Sequence, residues 1–196
     1  MSHAHAAPLP EERTSTGVAT GKVALWWFLA SEVAIFGGLI MSYVVCRLAH
    51  PEWAEEAAHT VSAAGALNTV VLLTSSLFAV LAHSAATHGD MKKASNLLFA
   101  TVGGGLVFLC VKAYEYHHEI SEGFTPVASL FWGFYFFMTG LHGVHVVAGM
   151  TALTWAALKA RKNEAPWAVE YTGMYWHLVD VIWIFLFPLV YLASAS

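Results

Sequence analysis

Five long apolar runs separated by short polar stretches dominate the chain, over residues 23–46, 63–86, 94–116, 127–158 and 175–193. At 1.5 Å per residue each is long enough, as an α-helix, to cross a hydrocarbon core of about 30 Å. The fourth exceeds that thickness by roughly half, which predicts a tilted helix or an interfacial first turn. In the fifth, Pro188 removes a backbone donor and predicts a local bend. The pattern thus predicts an all-α integral membrane protein, a five-transmembrane-helix bundle forming one domain over residues 22–196. Residues 1–21 are polar, carry Pro8, Pro10, Glu11, Glu12 and Arg13, lack an apolar signal core, and read as a flexible tail.

Composition agrees. With 58% hydrophobic and 11% charged residues and a mean hydropathy of +0.59, the chain lies outside the range of soluble domains. No basic cluster suggests a nucleic-acid partner. Charge also orients the bundle. The tail and the second and fourth loops hold Arg13, Lys22, Lys92, Lys93, Lys159, Arg161 and Lys162, whereas the first and third loops and the C-terminus hold only Arg47. The positive-inside bias therefore predicts a cytoplasmic N-terminus and an outer, periplasmic C-terminus.

Ionisable groups inside spans are costly and mark function or helix-to-helix bonding. Glu32 and the pair His142/His145 are expected in the middle third of the membrane. His83, His177 and Asp180 are expected toward the cytoplasm, and Asn68, Lys112 and Glu115 toward the outside. His177 and Asp180, three apart, share a helix face, and Lys112 and Glu115 are spaced to pair. The preferred reading makes Asn68, His83, Lys112, Glu115, His142, His145, His177 and Asp180 interhelical polar anchors. A metal site from His142, His145, His177 and Asp180 is chemically possible, but the first two are expected to lie a turn or two deeper than the others. Bis-histidine haem ligation would need imidazoles facing each other from different helices, which His142 and His145 on one face do not supply. Glu32 has no basic neighbour on its own helix and is either a hydrogen-bond donor or a proton-exchanging, regulatory group.

Ala30, Ala34 and Gly38 recur every four residues as a ridge of small side chains, predicting a close helix crossing within the bundle or on a partner. Cys46 and Cys110 form no C-x-x-C pair and read as buried, inert thiols. His3 and His5, on the tail, read as no site.

Six blocks occur in one order: Ser31-Glu32-Val33 with Phe36 and Gly38; Leu67-Asn68-Thr69 with Leu72; Ala82-His83; Ala113-Tyr114-Glu115-Tyr116; Thr139 to His145; and Tyr175-Trp176-His177 with Asp180, Trp183 and Phe185. In them the chain resembles subunit III of the haem–copper respiratory oxidases, over residues 22–192. The resemblance implies a non-catalytic subunit, without haem or copper of its own, in the bacterial inner membrane. Haem a and copper would belong to partners, the catalytic subunit I and the copper-binding subunit II, with a small subunit IV and a respiratory supercomplex as further associations. It also implies bound structural phospholipid and support of proton and oxygen supply, and it matches Glu32 to the family's carbodiimide-reactive glutamate. Many members have seven spans; this chain lacks counterparts of the first two, so the lipid cleft those helices make is not carried over. The five-span form resembles shorter bacterial subunits, and its blocks lean toward the cytochrome c type of an aa3 oxidase. The alternatives are an accessory subunit of a quinol oxidase or nitric oxide reductase, a histidine-ligated membrane cytochrome or metalloprotein, and a small transporter. The last is weakened by the lack of inverted repeats.

Overall fold

The computed structural model describes residue 17 and residues 19–191; most of the predicted tail, with His3 and His5, lies outside them. Six helices follow one another: α1 (Thr20–Ala49), α2 (Trp53–Ala57), α3 (Ser62–Thr87), α4 (Met91–Ser121), α5 (Leu130–Arg161) and α6 (Pro166–Tyr191). All except α2 are long and apolar enough to cross a membrane. The predicted spans are present, but most are longer than their apolar cores, because polar first and last turns continue the helix into the interface. Asp90 caps α4 by accepting from the Lys93 amide at 3.0 Å, and Ser129 caps α5 by accepting from Trp132 at 3.3 Å. The largest difference is α6, which starts at Pro166 rather than at residue 175. Proline is well placed in a first helical turn, and the preceding turn is tight, with Asn163 at φ 56° and Ala165 at φ 49°.

α3, α4, α5 and α6 close into a ring in which each packs on the next and α6 returns to α3. α6 is the most buried span and α1 the least. α1 leans on α6 and α5 from outside that ring, through Lys22–Glu170 at 2.6 Å, Tyr43 Oη donating to the Leu189 carbonyl at 2.8 Å, and Phe36 edge-on to His145. Helix α2 turns Trp53 inward under the ring, against Tyr43, Phe131 and Phe134.

Small residues decide how closely the ring closes. A Cβ on Gly104 would stand 2.6 Å from Cβ of Ser75, so α3 and α4 meet there backbone to backbone. A Cβ on Gly105 would stand 2.8 Å from both Met150 and Trp176, and one on Gly149 would stand 2.9 Å from Trp176. Trp176 thus fills a slot floored by two glycines, and its indole N–H donates to Ser75 Oγ at 3.1 Å. By contrast Ala30, Ala34 and Gly38 are exposed, and nothing lies within 4 Å of a Cβ placed on Gly38. The predicted ridge meets no helix of this chain. Cys110 is exposed on α4 and Cys46 is half-buried, so the thiols are less enclosed than expected.

Candidate functional site

On α1 the inward stripe is Leu29, Glu32, Phe36 and Tyr43, spaced as one helical face, and it aims Glu32 at α5. There Glu32 Oε2 lies 2.9 Å from His145 Nε2, while His145 Nδ1 lies 2.9 Å from the Leu141 carbonyl. A carbonyl only accepts, so Nδ1 carries a proton. Nε2 and the carboxyl group therefore share one further proton, which completes either a neutral acid–imidazole pair or a carboxylate–imidazolium pair. Chemically, the arrangement can hold that proton at either of two positions. It sits at the rim of the bundle, with side-chain exposures of 11% for Glu32 and 16% for His145. The partner stands on another helix, 113 residues along the chain, where spacing around Glu32 does not reveal it.

A second, larger cluster lies deep in the ring. Lys112 Nζ donates to Glu115 at 3.1 Å, to Tyr135 Oη at 3.1 Å and to Tyr191 Oη at 2.7 Å. Tyr135 Oη lies 2.8 Å from Glu115 and 2.9 Å from Glu119. The rings of Tyr116 and Tyr135 stand 4.6 and 4.8 Å from the ammonium, adding cation–π attraction. Lys112, Glu115 and Glu119 occupy one face of α4 at spacings of three and four. Glu119 lies beyond the apolar run 94–116 but still inside that helix, and is 1% exposed. The i, i+3, i+7 spacing was the signal that would have found it; no sequence signal pointed to Tyr135 or Tyr191.

The other expected anchors divide. His177 Nδ1 lies 2.6 Å from Ser76 Oγ, tying α6 to α3, and Asn68 Nδ2 reaches the Phe108 carbonyl of α4 at 3.5 Å. His142 is buried between the Trp183 face and the Phe108 edge, and neither ring nitrogen has a partner. Both oxygens of Asp180 are likewise buried without a hydrogen bond. His83 is exposed on α3 and anchors no helix of this chain, because its position falls on the outward face. In depth the four residues of the metal reading spread over about two turns. Trp183 stacks on His142 and Trp176 sits at Gly149, so antiparallel α5 and α6 bring Asp180 to the depth of His145. By the same register His177 lies level with residue 148, about 9 Å along the axis from His142. The four also point to different neighbours. Among the described residues no three His, Cys, Asp or Glu side chains gather to hold a metal ion.

The family model described as "Cytochrome c oxidase subunit III" matches residues 10–195. The chain belongs to the cytochrome c oxidase subunit III family. It is 32% identical over 172 residues to "Cytochrome c oxidase subunit 3" of Thermostichus vulcanus, covering 85% of this chain and 84% of that one. It is 33% identical over 171 residues to the protein of the same name from Corynebacterium diphtheriae, covering 84% and 83%. It is also similar to "Heme-copper oxidase subunit I+III" of Aeropyrum pernix, 31% identical over 182 residues, covering 86% of this chain and 22% of that protein. The family is part of the haem–copper oxidase complex, and the five apolar helices make this member a multi-pass membrane protein. Both polar clusters fall within the matched residues.

Proposed function

We propose that this chain is the non-catalytic subunit III of a bacterial aa3-type cytochrome c oxidase, held in the inner membrane with its N-terminus in the cytoplasm. In this reading it stabilises the haem–copper subunit I, binds phospholipid and assists proton and oxygen supply during aerobic electron transport. The names of its relatives favour cytochrome c over quinol as the electron donor. The fused I+III relative supports direct contact with subunit I. The outward small face of α1, with Ala30, Ala34 and Gly38, offers that contact a surface a partner helix can approach closely. Haem a and copper belong to subunits I and II, with subunit IV and a supercomplex as further associations.

The observation that carries the functional reading is the Glu32–His145 pair at 2.9 Å. A proton shared between two groups of one pair can be taken up on one side and released on the other without separating charge over a distance. At the rim, beside the face offered to the catalytic subunit, the pair is placed to exchange protons with it or to govern its turnover. The test is Glu32→Gln in the assembled complex. Haem content and initial oxygen reduction should match the wild type, while proton pumping per electron falls or inactivation during turnover quickens. An assembled variant with unaltered pumping and lifetime would reduce the pair to a structural hydrogen bond. Co-purification of a copper-binding subunit in mild detergent would support the cytochrome c donor, and its absence would favour a quinol enzyme. A stoichiometric Soret band on the isolated chain would overturn the non-catalytic assignment.

A further inference from the structure

The cluster around Lys112 brings one ammonium to two carboxyl groups, and the function proposed above makes no use of it. Its hydrogen bonds can be counted atom by atom. Lys112 Nζ has three protons, and each meets an oxygen: Glu115 Oε2, Tyr135 Oη and Tyr191 Oη. Tyr135 Oη also faces two carboxyl oxygens, Glu115 Oε1 at 2.8 Å and Glu119 Oε1 at 2.9 Å. A phenol has a single proton, so it donates to only one of them. If both glutamates are ionised, the other contact, almost as short, has no proton in it. One of the two negative charges would also be enclosed without a counter-charge. With one carboxyl group protonated every atom fits. Oη then accepts from Lys112 and from the acid, and donates to the carboxylate.

We propose that Glu115, Tyr135 and Glu119 together bind one proton, which resides on Glu119 and leaves Glu115 as the counter-ion of Lys112. The choice of Glu119 rests on its second oxygen. Glu115 takes the ammonium on Oε2, whereas Glu119 Oε2 is buried with no hydrogen bond. An unpaired oxygen costs less on a neutral acid than on an anion. Glu119 is 1% exposed, and Trp132, edge-on to Tyr135 at 5.2 Å, is 2% exposed, so this proton is enclosed. It can nevertheless move inside the site. As Glu119 passes its proton to Oη, the phenol passes its own to Glu115 Oε1. One O–H bond breaks and one forms at each step, and the negative charge shifts by one helical turn, about 6 Å. In either state one carboxylate balances one ammonium. The site is an internal proton relay, separate from Glu32 and His145 and independent of which oxidase the chain serves.

Infrared spectroscopy of the full chain in detergent at neutral pH reads the site directly, because carboxylic acids and carboxylates absorb in separate regions. Relative to wild type, Glu119→Gln should lose one carboxylic-acid C=O band and no carboxylate. Glu115→Gln should lose the same acid band, because Glu119 then gives up the proton to become the counter-ion of Lys112. Loss of a carboxylate by either variant, or no loss of an acid band, would overturn the shared proton. Tyr135→Phe should keep the acid but shift its band to higher wavenumber, since its acceptor is gone; an unshifted band would overturn the relay. If the cluster variants do not fold, Glu32→Gln labelled with carbon-13 at the glutamate side-chain carboxyl leaves the cluster intact. Exposed glutamates are ionised at that pH, so a labelled acid band should remain, and its absence would overturn the site. The readout is on the chain itself and does not depend on whether a haem–copper subunit co-purifies.

Discussion

The two polar clusters use similar chemistry in opposite settings. Around Lys112, five side chains from three helices enclose an ammonium, with Glu115 at 0% and Lys112 at 5% exposure. Every donor of that ammonium meets oxygen, and the cluster is built where α4, α5 and α6 converge. The Glu32–His145 pair joins only the outlying α1 to the ring and lies at its rim. Removing a charge from the first leaves a partner stranded in a closed space. Removing it from the second leaves a hydrogen bond that other groups can make. A buried ionic group inside a ring of helices sets their register; one at the edge is available for exchange.

The comparison is broken most directly at Lys112. Lys112→Met keeps much of the side-chain length but leaves Glu115 without its counter-charge, and should cost about 3–5 kcal/mol of stability. Thermal denaturation of the detergent-solubilised complex, read by yield and by melting temperature, checks this. Lys112→Met combined with Glu115→Gln should recover part of the loss, since no lone charge is then enclosed. A single variant as stable as wild type would mean that the cluster does not set the packing of the ring.

Much of this architecture was legible. Five apolar runs of sufficient length leave few alternatives in a bilayer, where backbone groups must be satisfied within each helix. The Lys112–Glu115 pair followed from spacing alone. What was not legible arises between helices. His145 as the partner of Glu32 depends on how α1 is rotated against α5, and hydropathy does not encode that. Tyr135 and Tyr191 read as ordinary apolar-span aromatics until α5 and α6 bring their hydroxyls to one ammonium. The start of α6 was missed because Glu170 and Thr172 dilute hydropathy over a stretch that Pro166 nonetheless nucleates. The row of small residues on α1 was recognisable, but its direction, away from this chain, required the fold.

Smaller changes separate packing from polarity. Gly104→Ala places a methyl group against Ser75 at a distance that only a backbone shift can relieve, and should cost about 1–3 kcal/mol without touching a polar group. If the variant melts with the wild type, α3 and α4 are not held at that crossing. Ser76→Ala removes the 2.6 Å bond to half-buried His177 and should cost about 1 kcal/mol, since the ring can rehydrate or find a new partner. A loss as large as that of Lys112→Met would place this tie among the register-setting groups of the core.

The smallest effect on stability is expected at the rim, where the largest effect on function is expected. His145→Gln keeps a side chain that can donate to or accept from Glu32 but cannot carry a second proton. Stability should fall by less than about 1 kcal/mol, because the position is partly open and the amide retains a hydrogen bond. Proton pumping or lifetime under turnover should nevertheless suffer as in Glu32→Gln, for the shared proton then has only one place to sit. If the two residues act as one unit, the double variant Glu32→Gln/His145→Gln should be no worse than either single one. Pumping stoichiometry and inactivation rate, measured on all three variants at equal haem content, form the cycle. Additive defects would mean that the two groups act separately. A His145→Gln complex with normal pumping and lifetime would leave any role to Glu32 alone.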